Sequence, residues 1–420
     1  MIDIKFVREN PNKVQKAAKD KNVEINVEHI LEIDKKYKEL SIAVQKLREE
    51  RNILTSSMKG KPTSEQIGKG KKLKEKLEKE EHVLKAVGDE LKTELYKIPN
   101  PAADDIPIGS DESKNKEIKK VGTVPHFSFK PKSHDELALS LDLYDSRHAV
   151  KIAGTRAYFL KNELVVLEQT VLNYGLEFMI KQGFIPMTVP WIVNKEALWG
   201  TGYFPWGIED HYTTQDGQGL IGTSEVSLTS YYQDAILSEK DLPIKLVSIS
   251  PCFRREVGSY GKDSKGFIRV HQFNKVEQVV LTIADEIETR KWHEKMLEFS
   301  EKILQELKLP YRVVLMCTGD MGMGQRKKYD IETWFPSQDK YRETHSASYF
   351  NDFQSRRLNI KYKTKDGSKK YVYTLNNTVI STPRILAAIL ENYQQKDGSV
   401  LIPKILQKYL HFEKITPKKI

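Results

Sequence analysis

Cysteine is nearly absent from this chain: Cys252 and Cys317 are the only two among 420 residues. Two thiols cannot build a disulfide framework or a four-sulfur zinc site, so a reducing cytoplasm is the expected setting. His271, His293 and His345 are scattered rather than grouped at metal-ligand spacing, and no zinc is expected. Long apolar runs are missing as well. Nothing approaches the ~18 residues of a membrane-spanning helix, and the opening MIDIKFVREN mixes both charges without the apolar core of a secretory leader. No membrane partner is expected. The phosphate cradle Gly-x-x-x-x-Gly-Lys-Ser/Thr does not occur, and Gly319, Gly322 and Gly324 lack dinucleotide-turn spacing and read as a flexible loop.

What is present is charge. The chain is 39% hydrophobic and 30% charged with a net charge of +10, a soluble globular composition whose basic excess favours a polyanionic partner. Its length suits two or three domains. Ile30, Ile33, Tyr37, Leu40, Val44, Leu47, Arg51 and Leu54 recur three and four apart, a heptad seam broken only by Arg51. Gly60 and Pro62 interrupt it at a polar tip. A second helical pattern carries Leu73, Leu77, Leu84, Val87, Leu91 and Leu95 and closes at Pro99 and Pro101. The two predict an antiparallel helical hairpin over about 27–98, roughly 45–50 Å long. Residues 59–79 hold eight lysines against three glutamates, placing Lys59, Lys61, Lys69, Lys71 and Lys72 at or near the tip. A charge run of this kind is often only a solvated face, but a thin projecting hairpin with a basic tip is also suited to gripping an RNA backbone.

The richest stretch runs from Ser250 to Gln278 and reads as strand, long glycine-bearing loop and strand. Period-two alternation puts Arg254 with Glu256 on one face, and Arg269, His271, Phe273 and Glu277 on another, with Ile268, Val270 and Val276 turned to a core. A charged face holding one aromatic suits a ligand that is anionic, aromatic and amino-bearing along its length. The four-residue span from Phe273 to Glu277 is roughly 13 Å.

Phe253-Arg254-x-Glu256, the hairpin and Arg269 resemble motif 2 of the class II aminoacyl-tRNA synthetases. With Gly258-Ser259-Tyr260-Gly261 and His271-Gln272-Phe273, the string is similar to the seryl-tRNA synthetases in particular. Gly183–Pro190 resembles motif 1, a dimer-forming element in that family. Thr223-Ser224-Glu225 resembles a loop that holds the amino acid's ammonium group, although a helix cap would read the same. Asp330–Gln338 leading into Tyr341–Ser346 matches the family's strand-and-turn block, with His345 where the family usually has serine. Leu375–Thr378 through Arg384 resembles motif 3, but with Asn377, Val379 and Pro383 at positions where relatives often carry glycine.

The resemblance implies an α+β fold: a class II antiparallel sheet flanked by helices, preceded by the long coiled-coil arm. It implies a helical tRNA-binding domain at 1–105, a linker at 106–135 and a catalytic domain at 136–420. It implies ATP as substrate with Mg²⁺, serine as the amino acid, tRNA(Ser) as acceptor with tRNA(Sec) a second candidate, and a homodimer. By position, Arg254 and Arg384 are the catalytic arginines. Thr223, Glu225, Arg254, Glu277, Asn376 and Thr378 would surround serine. Arg254, Arg255, Glu256, Arg269, Phe273, Glu343, Thr344, His345, Ser346 and Arg384 would surround ATP, with Glu343 and Ser346 on the metal. Two other readings stay open: a related amino-acid ligase with a different acceptor, and a non-catalytic RNA-binding paralogue.

Overall fold

The computed structural model describes residues 1–57, 63–257 and 266–417. The chain divides into two units, Met1–Pro99 and Asn100–Ile420.

The first unit is helical: α1 (Ile4–Glu9), α2 (Pro11–Asp20), α3 (Val27–Ser57) and α4 (Ser64–Tyr96). At 31 and 33 residues, α3 and α4 reach ~46 and ~50 Å. Their seam holds Val44, Leu47 and Leu77 with Leu73 and Leu84 against them, and Arg48 bridges to Glu81 across it at 2.8 Å. A reciprocal capping box between Thr63 and Gln66 starts α4. The heptad reading located both helices; at their base Ile30 and Ile33 are buried as the seam requires, whereas Tyr37 is exposed. Beside them, buried Asp34 is held by a two-pronged bond from Arg8 at 2.7 and 2.6 Å. The breaker residues Gly60 and Pro62, and Lys59 and Lys61 with them, lie outside the described residues.

The second unit is built on an eight-stranded sheet. In chain order its strands are β1 (Lys116–Val121), β2 (Ile185–Pro186), β3 (Ile244–Phe253), β4 (Gln272–Thr282), β5 (Tyr311–Leu315), β6 (Lys327–Phe335), β7 (Lys340–Asn351) and β8 (Tyr373–Ser381). Across the sheet they run β1-β5-β6-β7-β8-β4-β3-β2, antiparallel except for the short edge pair β2–β3. Residues 106–135, expected as a linker, therefore contribute an edge strand, and Ala103 and Ile106 are buried in the main core just ahead of it. Turn-forming composition concealed this, because β1 is exposed along nearly its whole length and carries no apolar alternation.

Helices α5 (His134–Ser140), α6 (Ser146–Ala153), α7 (Glu163–Lys181), α8 (Lys195–Thr201), α9 (Glu225–Ser230), α10 (Glu286–Glu306), α11 (Phe353–Leu358) and α12 (Thr382–Asn392) surround the sheet. Strand β4 shows how the layers are separated. Val276 and Val280 enter the core shared with α7, α10 and α12, whereas Val279 and Leu281 enter a second core with α8, α9 and α11. Period-two alternation puts Lys275 and Glu277 on the face of Val279 and Leu281, at the end of β4 that this second core leaves uncovered. A polar cavity opens there.

Candidate active site

The cavity has a volume of about 670 Å³, and its floor is supplied by the ends of β4, β7 and β8. At one end, Glu225 opens helix α9 and is almost fully buried. One carboxylate oxygen accepts bonds from the Tyr203 hydroxyl at 2.7 Å and the Asn376 amide at 2.5 Å; the other accepts from the Gln354 amide at 2.7 Å. Gln354 is itself oriented by a bond from Thr374 at 2.6 Å. Tyr203 follows Gly202, which ends α8 at φ 87°, where a Cβ would lie 2.9 Å from the Phe353 ring. Burial, then the nearby Glu277 carboxylate, push the Glu225 carboxyl up to about 7, although three donors favour its charged form.

Glu277 is paired with Lys275 at 2.7 Å, and the Thr378 hydroxyl donates to the same oxygen at 3.3 Å. Both members of the ion pair are almost inaccessible to solvent, so removing either would strand a buried charge. The pair is local: two residues apart on one strand, both on the cavity face.

The next wall differs from the expectation of two strands with alternating faces. Strand β3 ends at Phe253 and β4 starts at Gln272, so Arg254, Glu256, Arg269 and His271 lie beyond the regular ladder. Gly258–Gly261 lie outside the described residues. Glu256 adopts φ 55°, which breaks the alternation but still aims its side chain into the cavity, where Arg269 holds it at 2.5 Å. The guanidinium of Arg254 lies 5.4 Å from the centre of the Phe273 ring and donates to the Gly222 carbonyl at 3.3 Å.

The far end is anionic and cationic together. A bulge on β7 sets Glu343 opposite Glu332 but His345 opposite Ile331, leaving Thr344 as the extra residue. Glu343, Thr344 and Ser346 line the cavity. Arg384, in the first turn of α12 behind Pro383, meets the Glu343 carboxylate at 3.0 Å and its backbone carbonyl at 2.9 Å. Burial would raise the Glu343 carboxyl, but Arg384 and Lys328 outweigh it and hold the group below its ordinary range. Lys328 lines the same wall and pairs with Asp330 at 2.9 Å. Among the described residues no three His, Cys, Asp or Glu side chains form a metal-binding group. The oxygen donors Glu343 and Ser346 nonetheless suit a hard divalent ion that takes its remaining ligands from phosphates and water.

The cavity thus gathers Glu225, Arg254, Glu256, Arg269, Phe273, Glu277, Glu343, Thr344, Ser346, Asn376, Thr378 and Arg384. It does not gather three others. Thr223 is buried just ahead of α9, and its hydroxyl accepts from the Glu225 N–H at 3.4 Å. Arg255 turns outward and donates to the Glu209 carbonyl at 3.0 Å. His345 points into the core: burial pushes it down to about 4, and as a neutral ring it donates from Nε2 to the Val379 carbonyl at 3.1 Å and accepts at Nδ1 from Thr344 at 2.9 Å. Gly322 and Gly324, expected in a flexible loop, line the cavity.

Sequence reading missed Lys275, Lys328, Tyr203 and Gln354. The two lysines had a signal, since each sits two residues from an acid on a strand. Tyr203 and Gln354 had none, because only folding brings them to Glu225. On α4, Lys69, Lys71 and Lys72 are exposed, with Lys69 paired to Glu65 at 2.7 Å.

Known proteins resemble this chain along its length. Residues 1–102 match the seryl-tRNA synthetase N-terminal domain, and residues 210–393 match the class II tRNA synthetase core domain (G, H, P, S and T). The serine–tRNA ligase of Deinococcus radiodurans is 42% identical over 98% of this chain and 97% of its own length. That of Nautilia profundicola is 43% identical over 98% of this chain and all of its own. The solved seryl-tRNA synthetase of Pyrococcus horikoshii, complexed with ATP, superposes with a TM-score of 0.91 at 37% identity, covering both chains fully. The Naegleria fowleri cytoplasmic enzyme, solved with AMP, gives a TM-score of 0.87 at 30% identity over 100% of this chain and 99% of that one. With both family domains matched and these identities held along its full length, the chain belongs to the seryl-tRNA synthetases, the serine–tRNA ligases of class II.

Proposed function

We propose that the cavity binds serine at the Glu225–Glu277 end and ATP along the wall from Phe273 to Arg384. The serine carboxylate attacks the α-phosphate in line, a P–O bond forms, and pyrophosphate leaves. The 3′-terminal ribose hydroxyl of tRNA(Ser) then attacks the acyl carbonyl and AMP departs. No covalent enzyme intermediate is needed; the protein's contribution is positioning and charge neutralisation. The observation that carries this reading is the Glu225 carboxylate. It is buried and held by three neutral donors, Tyr203, Gln354 and Asn376, a receptor for a substrate ammonium group that would otherwise be costly to desolvate.

In this reading Glu277 and Thr378 take the serine hydroxyl, and Asn376 orients Glu225. Arg254 bridges the serine carboxylate and α-phosphate, because a planar guanidinium can hold two anions in fixed geometry. Phe273 stacks on adenine, Glu256 accepts its amino group and Arg269 holds Glu256. Arg384 meets the γ-phosphate. Thr223, Arg255 and His345 act one layer out, by accepting from the Glu225 N–H, by anchoring the loop near Glu209 and by fixing β7 to β8. Glu343 and Ser346 would hold Mg²⁺, which would supply positive charge against the phosphates of ATP.

The acceptor is tRNA(Ser), with tRNA(Sec) to be assayed beside it, and residues 1–105 act as the RNA-binding part. There, exposed Lys69, Lys71 and Lys72 support phosphate contacts. Homodimer formation through the motif 1 region is supported by exposed apolar side chains at Ile180, Ile185, Trp191 and Ile192. A cytoplasmic setting agrees with two buried, unpaired cysteines.

The test is amino-acid-dependent ATP–pyrophosphate exchange with serine, threonine, alanine and glycine, without tRNA. Serine alone should stimulate exchange, because a site built to pair a hydroxyl rejects alanine through its own unsatisfied groups. Absence of exchange with all four would replace this reading with that of an RNA-binding paralogue.

A further inference from the structure

The Lys328–Asp330 pair is not used by the mechanism above. Strand alternation and register put both side chains on the face of Ser346 and Ser348, their cross-strand partners at Asp330 and Lys328. Ser346 lines the cavity, and so does Lys328. Asp330 lies beneath, 4% exposed, and its Oδ1 atom has no hydrogen-bond partner. Its Oδ2 atom meets the Lys328 ammonium at 2.9 Å. An ion pair whose purpose was only to neutralise a buried carboxylate would be sealed from solvent. This one is asymmetric: the carboxylate side chain is 5% exposed and the lysine side chain 16%. An ammonium group carries three donors; one is directed at Asp330, which leaves two for a ligand in the cavity. The ammonium also shares a wall with Glu343, Ser346 and Arg384, the end assigned above to the non-transferred phosphates.

We propose that Lys328, oriented from below by Asp330, binds the β- or γ-phosphate of ATP and hence the departing pyrophosphate. This rests on the adenylation reading of the cavity. Lys328 would be a fixed monovalent cation at the polyphosphate end, acting beside the divalent ion held by Glu343 and Ser346. Asp330 is a positioning residue: it holds the ammonium on the cavity side of the sheet and has no contact with substrate. A polyphosphate carries more charge than Arg384 and one metal ion neutralise, so a preset cation there needs no reorganisation when ATP arrives.

The discriminating measurement is nucleotide affinity without turnover: equilibrium dialysis of ATP and of AMP, no serine present, magnesium fixed. AMP shares the adenosine and α-phosphate sites but lacks the β- and γ-phosphates. Lys328→Met should weaken ATP at least about tenfold, the range of one charge-assisted contact, and leave AMP within about twofold. Lys328→Arg should recover most of the ATP affinity. Because Lys328→Met leaves Asp330 buried without a counter-charge, the double variant Lys328→Met/Asp330→Asn is measured alongside. It should fold with a Tm near that of the parent and keep the ATP-selective loss. Equal losses of ATP and AMP in the double variant would overturn the proposal, as would ATP binding at parental strength. Failure of the adenylation reading is separately visible, as a parent protein without serine-dependent exchange.

Discussion

Serine binding should depend on pH through Glu225, and the size of the effect follows from its surroundings. A carboxyl at about 7 is half protonated near neutral pH, and the protonated form offers nothing to an ammonium group. Serine stays zwitterionic across the same range, so the titration belongs to the enzyme. With MgATP saturating, the apparent serine KM should scale as one plus the protonated-to-ionised ratio of Glu225. Relative to pH 8, that is ~10-fold weaker at pH 6 and ~90-fold weaker at pH 5. The ATP KM, extrapolated to saturating serine, should lack this dependence. Glu225→Gln should raise the serine KM by ~10² or more and flatten its profile, since the titrating group and its charge are both gone. Linkage fixes the matching stability effect. Folding raises this carboxyl from 4.5 to about 7, so its contribution to stability is complete below pH ~4.5 and lost as pH rises through ~7. In the empty enzyme the group should therefore cost a few kcal/mol at pH 8, and serine, by supplying the counter-charge, should raise Tm more at pH 8 than at pH 6. A serine KM constant between pH 6 and 8 in the parent protein would refute the reasoning.

Other outcomes follow from the same geometry. Glu277→Ala should raise the serine KM far more than the ATP KM, and equal effects in steady-state exchange assays would remove Glu277 from the serine site. Lys275→Met leaves Glu277 as a buried unpaired charge, so denaturant melts should show a loss of ~3 kcal/mol or more. Arg254→Ala should cut exchange by ~10² or more; near-normal rates would take Arg254 out of the reaction. Replacing Lys69, Lys71 and Lys72 with glutamate should leave serine-dependent exchange intact and weaken tRNA charging in a salt-dependent way, measured by aminoacylation at low and high salt.

Part of this was legible without a structure because it depends on neighbours in sequence. Heptad spacing gave α3 and α4, period-two alternation put Glu277 and Phe273 at one site, and Arg384 falls in the first turn of its helix behind Pro383. The motif departures at His345, Asn377 and Val379 showed where the chain differs from its relatives but not what the differences do. Their side chains turn away from the cavity. His345 bonds to the Val379 carbonyl, and Asn377 donates to the Met296 carbonyl at 2.7 Å and the Ser300 hydroxyl at 3.0 Å, both on α10.

The tertiary structure decided what no local rule contains. Local periodicity reports which face a side chain occupies, but not which distant segment covers that face. Glu225 acquires its character from Tyr203, Gln354 and Asn376, which lie 22, 129 and 151 residues away in sequence. Burial and the charge of Glu277, neither of them encoded in Thr-Ser-Glu, move its titration into the neutral range. In the same way β1 could be recognised as a strand only by the sheet edge it completes, and the spacing of Lys328 from Asp330 became a place on the cavity wall through the register that sets it beside Ser348. The sequence by itself determined the chemical groups and their periodicity, whereas long-range packing, which removes water from chosen groups and brings others into reach, determined their pKa values and partners.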